Sequence, residues 1–158
     1  DASGARADLA RAEALNRKAK RWAELGSNLY VLASVLASEG DLEGAFVAAF
    51  DALESDKRGE SARSIPSDLT ACAGLSERLG CDADAWGYWR RSFESALAID
   101  DAVSARKALV GLVALAGKLG KDSEGKRYAE LLARLDEAEG AAPGSPEGAS
   151  SGGAGEKD

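Results

Sequence analysis

Gly40, Gly80 and Gly120 stand forty residues apart, each closing a similar tripeptide: Ser38-Glu39-Gly40, Arg78-Leu79-Gly80 and Lys118-Leu119-Gly120. At matched offsets before them Leu29, Leu69 and Leu109 align, as do Leu32, Cys72 and Leu112, Ala33, Ala73 and Val113, and Val35, Leu75 and Leu115. After them Ala45, Ala85 and Gly125 align, followed by Ala48, Tyr88 and Tyr128. One glycine match would be coincidence. Apolar positions repeating on both sides of it mean that one supersecondary unit recurs, each copy burying its face against its neighbours.

Within a unit the pattern is helix, tight turn, helix. Leu25, Leu29, Leu32 and Leu36 recur at four- and three-residue spacing, one face of an α-helix. Gly40 supplies a left-handed stop and Asp41 a carboxylate N-cap for the helix that follows. That second helix, from Leu42 to about Lys57, carries Ala45, Phe46, Ala49, Phe50 and Leu53 on its apolar side. Ser55 to Ser64 is polar and reads as the turn between units, and Pro66 suits the first turn of the next helix. Alanine dominates a hydrophobic content of 45%, aromatics are only 6%, and β-branched residues never gather into strand-length runs. The chain therefore reads as all-α.

These residues resemble the tetratricopeptide repeat family. Leu29, Leu32-Ala33, Gly40, Ala45 and Ala52 follow its pattern in the first unit; Leu69, Ala73, Gly80 and Ala85 in the second; Leu109, Leu112, Gly120 and Gly125 in the third. The period is similar to the family's long-turn subtype, although HEAT-type repeats have a comparable one. The family's proline after the second helix is absent, with Lys57, Leu97 and Glu137 in its place, and Val113 replaces a small residue. A literal match to the family motif at Trp22, Leu25, Gly26 and Leu29 is seven residues out of phase with Gly40 and is set aside. The resemblance implies a right-handed superhelix of antiparallel helix pairs, an α-solenoid of about seven helices.

The expected organisation is a half unit over 1–25, its helix running from about Ala5 to Leu25, then units at about 26–63, 64–100 and 101–139. Residues 140–158, rich in glycine, serine and charge without apolar periodicity, read as a low-complexity disordered tail.

In the fold that the resemblance implies, first helices line a concave groove. The residues expected to face it are Ser27, Tyr30 and Ser34 in the first unit, Thr70, Glu77 and Arg78 in the second, and Lys107 and Lys118 in the third. Hydroxyls and lysines on such a floor suit a peptide bearing carboxylates. Trp86, Trp89 and Phe93, with Tyr88 beside them, share a helical face and read as fillers of the space that alanine-rich helices leave.

Other classes find little support. There is no histidine, the commonest general base and metal ligand, and no phosphate-cradling loop flanked by a strand. No catalytic site, metal site or cofactor is expected. A net charge of −7 argues against a nucleic-acid partner. The longest uncharged run, Leu25 to Ser38, is too short and too rich in serine to span a bilayer. Cys72 and Cys81 read as free thiols, Cys72 in the core. The expected function is that of a protein- or peptide-binding scaffold. Self-association within a bacterial envelope assembly, or non-enzymatic small-ligand binding, remain the alternatives. The composition has the style of a GC-rich bacterium; export and a cytoplasmic location stay equally open.

Overall fold

The computed structural model describes residues 2–141. They form seven helices and no strand: α1 (Ala2–Ala19), α2 (Trp22–Glu39), α3 (Leu42–Arg58), α4 (Ile65–Arg78), α5 (Asp82–Ala98), α6 (Ala102–Lys118) and α7 (Asp122–Ala141). Each helix packs on the next, and α4 also touches α6. Short turns reverse the chain each time, so neighbours are antiparallel. The result is an all-helical repeat stack, as the sequence pattern implies.

The turns recur every twenty residues. Gly40, Gly80 and Gly120 take φ values of 88°, 77° and 64°. Alternating with them, Lys20, Glu60 and Asp100 take φ near 55° with no glycine to ease it. In all six turns the next residue's N–H returns to a carbonyl five positions back. Asp41 reaches Leu36, Cys81 reaches Ser76 and Lys121 reaches Ala116; Arg21, Ser61 and Asp101 do the same to Asn16, Asp56 and Ala96. This is the Schellman closure, which satisfies carbonyls that a helix end would otherwise leave unpaired. Asp41 and Asp101 then cap α3 and α6, accepting from the N–H of Gly44 at 2.9 Å and of Ser104 at 3.0 Å.

The first turn corrects the reading of the N-terminus. The opening helix stops at Ala19 instead of reaching Leu25, because Lys20 enters the left-handed region. Trp22, Leu25, Gly26 and Leu29, set aside as out of phase, therefore occupy the first two turns of α2. There Leu25 and Leu29 are buried with Ala52 and packed by Trp22, whose ring carries the Arg58 guanidinium at 5.4 Å. The polar segment from Ser55 also differs from expectation. α3 continues to Arg58, and Ser55 and Asp56 are buried. Of the expected tail, α7 extends to Ala141, and positions 142–158 lie outside the described residues.

Alanine sets how closely the layers approach. Ala33, Ala45, Ala48 and Ala49 meet Cys72 and Leu75 in the central core, with Phe46 and Tyr88 filling its edge. Trp86 and Trp89 pack with Ala73, Ala85, Ala108, Leu112, Leu115 and Ala116 in the next core, where they are mostly buried. Both cysteines are free thiols, Cys72 buried and Cys81 exposed. α4 and α5 are also tied by a buried polar contact. Ser92 Oγ donates to the Pro66 carbonyl at 2.9 Å, which leaves Thr70 to donate to Ser92 across 3.0 Å.

Candidate functional site

With α3, α5 and α7 behind them, α2, α4 and α6 present one face, and its clefts meet at three residues. Tyr30 of α2, Thr70 of α4 and Lys107 of α6 line both a cleft of about 290 Å³ and a smaller one of about 160 Å³ beside it. Ser34, Gly74 and Arg78 extend the first; Ser67, Val103 and Ser104 complete the second. Tyr30 also borders a third cleft, of about 410 Å³, with Ser27, Ser67, Asp56 and Asp68. The structure thus brings Ser27, Tyr30, Ser34, Thr70, Arg78 and Lys107 onto one connected surface.

Their polar atoms are not equally free. Ser34 Oγ donates to the Tyr30 carbonyl at 3.1 Å, one turn back in its own helix. The Thr70 hydroxyl is directed inward to Ser92, so it offers the groove chiefly its methyl. Arg78 donates to the Ala37 carbonyl at 3.1 Å, bridging α4 to the end of α2 while its side chain lines the cleft. Lys107 is exposed where two clefts adjoin. Tyr30 and Lys107 are therefore the side chains best placed to meet a ligand.

Two of the expected residues have other employment. Glu77 accepts from the Trp89 indole Nε1 at 2.5 Å. Lys118 stands 3.7 Å from Asp82 and borders none of these three clefts. That ion pair is exposed and contributes little to stability.

Asp56, Arg63 and Asp68 border the third cleft although nothing in the sequence pattern marks them. Trp89 was assigned to packing, which it does; its edge also lines the first cleft. Asp56 falls in the segment expected as a polar turn, and Asp68 in the first turn of the helix after it. Both are buried instead, at 3% and 2% exposure. Desolvation raises both carboxyls above their ordinary range, and Asp68, with the Asp56 charge beside it, is pushed up to about 8. Polar contact with Asp68, Ser64 and Ser61 draws Asp56 partly back. The nearby Cys72 thiol is pushed up to about 12, first by burial and then by Asp68. A thiol held that high is inert at neutral pH.

No group of three or more histidine, cysteine or acidic side chains suited to a metal ion occurs among the described residues, and no described helix is long and apolar enough to cross a membrane. No protein-family model matches the sequence, and a search of curated proteins finds no relative.

Proposed function

We propose that this chain is a non-catalytic scaffold of the tetratricopeptide kind, holding an extended segment of a partner protein along the face made by α2, α4 and α6. One observation carries the reading: Tyr30, Thr70 and Lys107 come from three different helices and border the same two clefts. A surface built from successive repeats is suited to an extended chain, because each unit can contact the next stretch of it. Tyr30 contributes area at small entropic cost. Lys107 and Arg78 supply positive charge at the α4–α6 end, which favours a segment with a carboxylate there.

Acidic peptides of eight to twelve residues, titrated into the labelled protein and followed by backbone amide shifts, test this. The expected shifts cluster on Tyr30, Gly74 and Lys107, and Tyr30→Ala with Lys107→Glu abolishes them while leaving helicity and melting unchanged. Binding weakens as salt rises, because exposed charges are screened within roughly 10 Å at 0.1 M. Shifts confined to another face, or binding indifferent to the double change, would exclude this groove as the site.

A further inference from the structure

The cleft between α2 and α4 is built for more than a carboxylate. Ala33 and Ala37 of α2, Ala71 and Leu75 of α4 and the edge of Trp89 wall it, so its interior is apolar. Gly74, inside α4, forms part of the same wall. A glycine within a helix costs stability relative to alanine, and at other helical positions of this chain packing accounts for it. A Cβ at Gly26, Gly111 or Gly125 would collide with Asp56, Trp89 or Ala116. At Gly74 no neighbouring atom lies within 4 Å of the absent Cβ. Gly4, Gly87 and Gly117 are equally open, but none of them borders the three clefts of this face. The packing of this chain has no use for glycine at position 74; what the glycine preserves is room in the cleft.

The charge at this cleft is one-sided. Arg78 and Lys107 are the charged side chains among its lining residues and no acid joins them, on a chain whose net charge is −7. Lys107 also stands between two exposed valines on one face of α6: Val103, one turn before it, is 75% exposed and Val110, one turn after, 52%. Val103 joins Tyr30 at the adjoining smaller cleft. Apolar side chains left open around a cation and a cavity mark a surface that another molecule covers. We propose that the cleft seats a leucine-sized aliphatic side chain of the partner segment, while Lys107 and Arg78 hold an aspartate or glutamate within two residues of it. The inference rests on the groove reading above and narrows it, from negative charge alone to an aliphatic–acidic pair inside an extended segment.

The spacing follows from the cleft itself. Both cations line the same cavity as the apolar wall, so the two partner side chains must be near neighbours; two residues of extended chain span at most about 7 Å. The volume of about 290 Å³ admits a leucine side chain. Burying it against Ala33, Leu75 and Trp89 removes apolar surface from water, which supplies affinity that a screened surface charge does not. The carboxylate meets the exposed Lys107 ammonium. The Arg78 guanidinium, steadied by its bond to the Ala37 carbonyl at 3.1 Å, retains further N–H donors. The apolar surface continues past the cleft to Val103 and Val110, which suits a side chain carried on a longer segment better than a free small acid.

End-blocked nonapeptides of glycine and serine, titrated into the labelled full chain and followed by backbone amide shifts, test this. Each carries one leucine and one aspartate, adjacent or separated by one residue, in either order. At least one should bind saturably at a single site. Replacing its leucine by alanine should weaken it about tenfold or more, and replacing its aspartate by asparagine should weaken it as well. Gly74→Leu puts a side chain of the protein itself into the cleft. It should weaken the same peptide about tenfold or more while raising the melting temperature, since leucine is the better helix former. The peptide comparison uses the unaltered protein, so it decides the matter even if Gly74→Leu fails to fold. The proposal is overturned if the alanine peptide binds as well as the leucine peptide, if a folded Gly74→Leu keeps the parent's affinity, or if isovalerate, a free small acid, binds as tightly as the peptide. Peptides that shift Tyr30 and Lys107 whatever replaces the leucine would remove the aliphatic anchor and leave the groove standing; peptides that shift neither would remove both.

Discussion

The indole Nε1 of Trp89, on α5, donates to Glu77 Oε1, on α4, at 2.5 Å, while the face of the same ring lies against the backbone of Gly111 on α6. One side chain thereby fixes the spacing of three helices under the proposed groove. The contact explains why a glycine is retained inside α6. A Cβ at Gly111 would overlap the ring, whereas Gly87, inside α5, has nothing within 4 Å of its absent Cβ.

The two glycines should respond to alanine with opposite signs. Gly111→Ala forces the indole to shift and is expected to destabilise by about 1–3 kcal/mol. Gly87→Ala gains only helix propensity and should stabilise by roughly 0.5–1 kcal/mol. Urea denaturation of both variants, read by helicity, checks this. Equal effects would show that Trp89 does not rest on Gly111.

The turns supply a second contrast. Glu60 holds φ at 54° without being glycine, at the position where Gly80 holds 77° in the next turn. A left-handed conformation costs an ordinary residue about 1–2 kcal/mol. Glu60→Gly should therefore raise the melting temperature, and Gly80→Ala should lower it. No rise for Glu60→Gly would mean that this turn relaxes to a different conformation in solution.

The same turns show what was legible in the sequence and what was not. The structural beat is twenty residues, but glycine marks only alternate turns, so the sequence displays a period of forty. Lys20, Glu60 and Asp100 carry no turn signal of their own. For that reason the sequence pattern carries the first helix past Lys20 and Trp22, although it aligns Leu25 and Leu29 correctly with Leu32 and Leu36 on the next. The leucine and alanine faces were readable because burial in a stacked repeat imposes a strict spacing. Six of the eight expected groove residues share a surface because the same spacing fixes the opposite face. Glu77 and Lys118 were taken up by Trp89 and Asp82, contacts between helices that no local pattern encodes. Asp56 and Asp68 were missed for a similar reason: each lies at a helix end, where an acid is ordinarily solvated.

A buried polar tie gives the next test. Ser92 bridges Thr70 and the Pro66 carbonyl, so Ser92→Ala leaves two groups without their partner inside the α4–α5 interface. The expected loss is about 1–3 kcal/mol. Ser92→Ala combined with Thr70→Val removes two hydroxyls together and should lose less than the sum of the single changes, because coupled partners are not additive. Strict additivity in the double-mutant cycle would show that the two hydroxyls do not interact.

The last prediction concerns stability against pH. Asp68 is raised from an ordinary 3.8 to about 8 in the folded chain, and Asp56 is raised in the same direction. The folded protein thus holds protons that the unfolded chain has already released, and its stability falls as pH rises between those limits. The contribution is complete below 3.8 and gone above about 8. At the acid end Glu54 and Asp101 act in the opposite sense. Both are lowered, Glu54 by its hydrogen bond from Lys57 and Asp101 by those from Ser104, so their contributions fade on acidification. Stability should therefore peak near about pH 4, where the opposing contributions cross, and decline towards pH 8, with a slope for one proton no steeper than about 1.4 kcal/mol per pH unit. Asp68→Asn keeps an N–H to face Asp56 but has no proton to lose. It should flatten that decline and exceed the parent in stability at pH 9. Guanidinium denaturation at half-unit pH intervals decides the matter. A parent profile already flat from pH 5 to 9, or an unchanged slope in Asp68→Asn, would show that the two carboxyls are not buried together.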